Sequence, residues 1–453
     1  MKKFLQKGKG VRSVKKSDIF SSIIPMYYLS KLTGLAPLSL AYTHDKQCRD
    51  GITLKTSVPA VLYTVLLIIG IAATQIFVLT FYRFDTLPFG TEKTKQVEVS
   101  QFVLRGITGV TSLSISLKRI RKEMNSLLYK LSVIDTLLGT KTDILRSNVK
   151  YMWMQVISLA TILVIVYAND FFAMKSDFNI GLCVTATYVC TTIKIVAIVQ
   201  FVNLVSLLKQ KFKILNSYLG SAENSTQLRN DNLWEMLLQT PRFRNEDNWK
   251  DDALHIEAFY QALNRRHYSN IIMQDSTNIT IQNSWLHKEK LRFHALTIIW
   301  DLLCDISSSV NSIYGLQILL CIVSAFIEIT TGLSYSIIGL KENVLTNEEL
   351  YLKVVTPIIW SLKQFLLLFW IAASCSAACE EANHSVTLLL KLLLLPELHP
   401  ATAVEIQLFL QQVRDRKPKF TAWDFFTLNY SLLGSTAGAV VTYLVILVQM
   451  QAN

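Results

Sequence analysis

The chain has 453 residues, of which 51% are hydrophobic and only 17% charged, and its mean hydropathy is +0.34. A soluble domain of this length is not so apolar, and the composition places the chain among membrane proteins. The net charge of +12 does not point to nucleic acid, because the basic residues lie in blocks flanking apolar segments, the pattern that orients a membrane protein.

The N-terminal residues MKKFLQKGKGVRSVKK are basic, and the following DIFSSIIPMYYLSKLTGL is interrupted by Pro25, Lys31 and Gly34. It lacks the apolar core of a signal peptide, so residues 1–57 are expected to remain as a cytoplasmic N-terminal segment. Beyond it, seven stretches approach the roughly 20 apolar residues that a spanning helix needs. They are Val58–Phe81, Val97–Leu117, Tyr151–Phe172, Ile180–Val202, Ser312–Ile338, Val354–Ala378 and Leu432–Met450. Glu98, Gln101 and Arg105 dilute the second.

Lys and Arg resist translocation and so mark the cytoplasmic side. Residues 1–57 hold eleven of them, 118–150 eight, 203–311 twelve and 379–431 five, against six in the three alternate loops together. The expected topology has a cytoplasmic N terminus and an extracellular C terminus in a multi-pass plasma-membrane protein. The sequons at Asn224, Asn278, Asn383 and Asn429 then all stay in the cytoplasm.

The spacing of apolar residues in MNSLLYKLSVIDTLL, LVSLLKQKFKILNSYL, RFHALTIIWDLLCDI, SVTLLLKLLLL and AVEIQLFLQQV predicts cytoplasmic helical extensions forming an anchor domain. The domain plan is therefore 58–202 with helices one to four, 203–311 with cytoplasmic helices and a flexible linker at about 220–285, 312–378 with helices five and six, 379–431 with anchor helices, and 432–453 with the last helix. The seven cysteines form no CxxC pair and none falls in an outer loop, which argues against a disulfide framework or a metal cluster. No cofactor is expected.

Three spans carry polar faces. In the second, Glu98, Gln101, Arg105, Thr108 and Ser112 recur at three- and four-residue intervals. In the fifth the residues are Gln317, Ser324, Glu328, Thr331 and Tyr335, and in the sixth Thr356, Trp360 and Lys363. Charged groups facing lipid cost roughly 2.5–3.5 kcal/mol each, so these faces should meet partners or a wet cavity. At ~1.5 Å per residue, Arg105 lies roughly 12 Å and Trp360 roughly 9 Å below the outer helix ends. An outward-facing pocket for an uncharged polar ligand fits this placement, with hydroxyl groups meeting donors and acceptors and an apolar ring surface meeting the aromatic face. The alternative is that Arg105, Glu328 and Lys363 pair only to hold helices together. Lys194, deeper in the fourth span, is expected to be structural.

On the last helix Ser435, Thr442 and Gln449 are spaced by seven, with Gly438 and Ile446 on the same face. That face either packs within its own chain or, repeated in several copies, lines a pore in which Ile446 is an apolar constriction and Gln449 a ring of amide oxygens.

Thr442, Tyr443, five apolar residues and Gln449, in TYLVILVQ, resemble the closing motif of insect gustatory receptors, with Met450 in place of the usual Phe. FTAWDFFTLNYSLLGS before it, and HALTIIWDLLCDISSSVNSIYGLQIL before the fifth span, are similar to the same family. The overall run looks closest to its fructose-receptor branch of moth type. The resemblance implies an all-α homotetrameric, ligand-gated, nonselective cation channel, with four seventh helices around the pore and a sugar pocket in the outer half of each subunit. By motif position Gln449, Met450, Ile446, Thr442 and Val445 would line the pore. The ligand-binding set expected from the stripes is Trp360, Arg105, Glu328, Tyr335, Gln101, Thr331, Thr356 and Lys363. The partners implied are a sugar, probed first with D-fructose, permeant cations, membrane lipid and further copies of the chain, with no nucleic acid. Rival readings are a seven-span receptor coupled to a G protein, which has the opposite orientation, and a secondary transporter, which the absence of an internal repeat disfavours. The seven histidines form no HExxH pattern and there is no phosphate-binding glycine loop, so no enzyme is expected.

Overall fold

Apolar chain that leaves water must satisfy its own backbone, and helices do so within one segment. The computed structural model describes residues 18–43, 51–81, 92–138, 142–173, 178–223, 279–341, 351–396 and 398–452. It opens with α1 (Asp18–Leu32), an antiparallel ribbon of β1 (Leu38–Thr43) and β2 (Gly51–Thr56), and α2 (Val58–Phe81). Next, α3 (Glu92–Ile115) passes through a π-helical turn, Ser116–Ile120, into α4 (Arg121–Leu138). Then come α5 (Thr142–Ala173), α6 (Phe178–Glu223) and α7 (Ile279–Lys341). A second π-helical turn, Tyr351–Val355, leads into α8 (Thr356–Leu393), followed by α9 (Pro400–Asp415). The chain closes with a short hairpin of β3 (Thr421–Ala422) and β4 (Phe426–Thr427), then α10 (Ser431–Ala452).

All seven expected spans are helical along their described residues. Among the described residues, five helical stretches, Val58–Thr80, Val149–Ala168, Thr185–Gly220, Arg292–Leu340 and Thr356–Leu393, are long and apolar enough to cross a membrane by length and composition. α3 falls short because its charges dilute it, and the apolar part of α10, Ser431–Ile446, is shorter. The predicted cytoplasmic helices are all present, and three of them are continuations of spans. α7 alone has 63 residues; at ~1.5 Å per residue it is about 95 Å long, so a hydrocarbon layer of about 30 Å covers only a third of it. α6 runs to Glu223 and α7 begins at Ile279, and of the linker expected at about 220–285, residues 224–278, with Asn224 and Asn278, lie outside the described residues. The sequence did not signal α1 or the two ribbons.

α6, α7 and α8 form the centre. Their packing follows from their periphery: 83% of the apolar stretch of α6 is buried, against 11% for that of α5 and 17% for that of α2. The outward faces of α2 and α5 carry Leu62, Leu66, Ile69, Met154, Ile157 and Val164, all exposed, as befits helices that hydrocarbon would cover. α1 and α5 pack together, and Gly34, at φ 75°, closes α1 with a bond from Leu35 N–H back to Ser30 O at 2.8 Å.

Below the site end of the bundle, Trp300 on α7 is a packing centre. Its ring meets Phe212 of α6 at 5.3 Å and Phe409 of α9 at 6.5 Å, both edge-on. Its indole N–H donates to Arg416 O at 3.0 Å, which ties the segment after α9 to α7. The Arg416 guanidinium pairs with Asp301 at 3.2 Å and also with Asp305. Two turns along α7, Asn311 donates to Lys419 O at 2.6 Å and accepts from Thr421 N–H at 3.2 Å. Gly315 lets the hairpin close in, since a Cβ there would lie 2.9 Å from Trp423 N. The elements that lead into α10 are thus fastened along α7.

Trp300 is 1% exposed, so Trp300→Ala should destabilise the solubilised protein by about 3–5 kcal/mol, and Trp300→Phe by much less. Thermal unfolding followed by size-exclusion chromatography checks this, and an unchanged melting point for the alanine variant would remove Trp300 from that role.

Candidate functional site

The three polar stripes do converge. Glu328, on α7, is 5% exposed and is held from three sides. Lys194 of α6 donates to Glu328 Oε1 at 2.9 Å and to Ser324 Oγ at 3.2 Å, while Ser324 donates to the same carboxylate oxygen at 2.8 Å. Gln364 of α8 donates to the other oxygen, Oε2. Arg105 of α3 brings its Nε to 3.4 Å from Oε1. Four helices therefore share one carboxylate.

The four-residue spacing of Gln101 and Arg105 places them on one face of α3, where Arg105 Nη2 donates to Gln101 Oε1 at 3.0 Å. Gln101 in turn donates through Nε2 to Thr331 Oγ1, one turn beyond Glu328 on α7. The amide is thus read at both ends, which fixes its orientation.

Trp360 sits on α8 above this network. Arg105 Cζ lies 5.7 Å and Lys363 Nζ 3.3 Å from its ring centroid, both over the ring. α7 and α8 approach closely here because Gly332 has no side chain; a Cβ would lie 3.0 Å from Pro357 O. Burial grades across the cluster. Glu328, Lys194, Ser324, Gln364, Lys363 and Thr331 are buried, whereas Gln101, Arg105, Tyr335, Thr356 and Trp360 are half-buried. The buried members lock helices together and the half-buried ones form a rim. Among the half-buried residues in contact with the cluster, Gln101, Arg105 and Trp360 offer an amide, a guanidinium and an indole face, groups able to meet hydroxyls and an apolar ring surface.

The expected ligand residues Gln101, Arg105, Glu328, Thr331, Trp360 and Lys363 are thus one cluster. Tyr335 and Thr356 lie one turn further along α7 and one turn before Trp360 on α8. Lys194, expected to be structural, is a buried member of the cluster, paired with Glu328, and Ser324 and Gln364 join it. A buried Lys four helical turns from any other charge on its own helix was the available signal for Lys194. Gln317 stands apart: it is buried below the cluster, and neither amide atom has a hydrogen-bond partner among the described residues. The Glu98 side chain lies outside the described residues. Among the described residues no group of three or more His, Cys, Asp or Glu is placed to hold a metal ion.

α10 leans on α7 and, less, on α8. Tyr443 meets Phe326 of α7 edge-on at 5.7 Å, and Leu432 and Val440 are buried. Thr442, Val445, Ile446 and Gln449 all face away from the chain, and a Cβ at Gly434 or Gly438 would meet nothing within 4 Å. The Met450 side chain lies outside the described residues.

Glu328→Gln would leave Lys194 buried, and Arg105 half-buried, without their carboxylate, and removing one partner of a buried pair costs about 3–5 kcal/mol. The expected result is a large fall in melting temperature or in monodisperse yield, partly recovered by pairing Lys194→Met with Glu328→Leu. Wild-type stability in the Glu328→Gln variant would show that the carboxylate does not hold the helices.

Residues 23–453 match the 7tm chemosensory receptor family. No curated protein sequence matches the chain. The fold is similar to that of the insect olfactory receptor OR5 from Machilis hrabei, with a TM-score of 0.58 and 12% identity over 95% of this chain and 98% of that one. It is also similar to the same receptor in complex with eugenol, with a TM-score of 0.53 and 12% identity over 96% and 100% of the two chains. At this identity the structural likeness speaks for the fold, and the family match, which spans nearly the whole sequence, speaks for descent: the chain belongs to the 7tm chemosensory receptor family.

Proposed function

We propose that this chain is a ligand-gated, nonselective cation channel of the plasma membrane, built from four copies and opened by a sugar, with D-fructose the first compound to test. The N terminus is cytoplasmic and α10 crosses outward as the pore helix. The chain is not an enzyme. The observation that carries the proposal is the orientation of α10, which turns Thr442 and Gln449 away from its own chain while Tyr443 anchors its other side. Hydroxyl and amide groups on an outward face are suited to water and to neighbouring copies, not to hydrocarbon.

The ligand is placed at the rim around Trp360. Its polar groups already hydrogen-bond one another, so a sugar would exchange contacts there and bind through several hydroxyls at once. The olfactory receptor that this fold resembles is described with eugenol, a small organic molecule, and that supports a small-molecule ligand here. A sugar opens the channel only if it contacts the open form better than the closed one.

The deciding experiment is current in cells expressing only this chain, measured against a sugar panel. A sugar-evoked current that reverses at the cation potential is expected; a response that needs a G protein, or uptake without current, overturns the proposal. Trp360→Ala is expected to shift the dose response at least about tenfold, the effect of losing 1.4 kcal/mol, without lowering surface expression. An unchanged dose response would remove Trp360 from the ligand site. Gln449→Lys should lower cation conductance or change ion preference, because a positive ring repels cations. Identical permeation would move Gln449 off the pore.

A further inference from the structure

Two basic segments far apart in sequence meet on one stretch of α7. Lys118 and Arg119 lie in the π-helical turn after α3, and Arg119 Nη1 donates to the backbone carbonyl of Ser312. Lys417 and Lys419 lie after α9, and the Lys419 carbonyl is held by Asn311, the neighbour of Ser312. Lys118, Arg119, Lys417 and Lys419 are all exposed, and none takes part in an ion pair among the described residues. Arg416, between them in sequence, is already matched by Asp301 and Asp305.

Beside the lysines, the β3–β4 hairpin turns through Trp423 and Asp424, both at positive φ (49° and 61°). The hairpin is steadied by the Thr421 hydroxyl bonded to Asp424 at 2.9 Å. This turn projects Trp423 and Phe425, 50% and 71% exposed, with ring centroids 5.9 Å apart. Tyr430, one residue before α10, is also exposed. Exposed aromatic rings at the end of an apolar helix mark the headgroup level, and cations just beyond it face the phosphates of the inner leaflet.

We infer that this patch binds the phosphorylated headgroup of an anionic inner-leaflet phospholipid, with Lys118, Arg119, Lys417 and Lys419 on the phosphates and Trp423 and Phe425 among the upper acyl carbons. The inference rests on the cytoplasmic N terminus proposed above. Because the same segments fasten the hairpin that leads into α10, the lipid would also steady the base of that helix.

The test uses the full chain in phosphatidylcholine nanodiscs titrated with phosphatidylinositol bisphosphate, with bound lipid counted by native mass spectrometry. The triple variant Lys118→Gln, Lys417→Gln, Lys419→Gln spares Arg119, whose guanidinium also holds α7. It should lose about tenfold or more in lipid retention, and the corresponding triple arginine variant should keep it. Equal retention by the glutamine variant overturns the inference. So does equal binding of soluble inositol trisphosphate or inorganic phosphate, which would make the patch a site for free phosphate. A variant that changes assembly while retaining lipid would assign the lysines to contacts between copies and overturn it as well. Nanodiscs expose both faces and need no current, so this readout is independent of channel activity. Orientation is read separately by tag accessibility at each terminus in intact cells, and a reversed orientation would place the patch on the outer leaflet and defeat the assignment there.

Discussion

A carboxylate removed from water must find cations and donors, and Glu328 finds them on three neighbouring helices at once. Lys194 comes from α6, Arg105 from α3 and Gln364 from α8. A buried pair of this kind adds little net stability over an apolar replacement of the same shape, but half of one is costly. Its effect is therefore on register. Sliding any of the four helices by one residue carries its polar group about 1.5 Å along the axis and about 100° around it, away from the carboxylate. Apolar packing tolerates alternative alignments of smooth helices; a single shared charge does not. The half-buried rim of Gln101, Arg105 and Trp360 inherits its geometry from that lock.

α7 connects the lock to α10 at two levels. Phe326, two residues before Glu328, bears on Tyr443. About three to four turns below Phe326, Asn311 and Gly315 hold the segment and hairpin that feed α10. α7 is therefore the continuous element that touches the Glu328 level and both of these contacts. In the proposed channel this makes α7 the link between ligand and pore. The π-helical turn at Ser116–Ile120 interrupts α3 and α4 at the same lower level. π-helical turns are frequent at functional sites.

Much of this was legible in the sequence because hydrophobic length and period are local properties. The seven helices, the helical extensions below them and the common face of Gln101 and Arg105 all follow from spacing within one segment. The convergence of the stripes was legible only in part: cost alone says that Arg105, Glu328 and Lys363 seek partners, but not which. Lys194 and Gln364 were missed as partners because the interhelical registers that bring them to Glu328 are set by packing over the whole bundle. The β3–β4 hairpin was missed for another reason. Its strands are two residues long, too short for alternation to show, and its turn relies on Trp423 and Asp424 at positive φ in place of the Gly or Asn that announces such turns.

The outward face of α10 poses a problem that one chain does not solve. Leu432, Val440 and Tyr443 give the helix one anchored side. The other side carries Thr442 and Gln449 together with Gly434 and Gly438, whose missing side chains leave open space. Lipid would cover the apolar residues there but leaves an amide unsatisfied. A second identical helix approaching head-on would satisfy the small residues, which permit close contact, yet would bring the same amide against itself. A closed ring of copies removes the conflict: rotation places every copy of the polar face toward one axis, where water can meet it, while the flanks pack on neighbours. In the proposed channel, the alternation of small, hydroxyl and amide positions along α10 would then turn toward that axis.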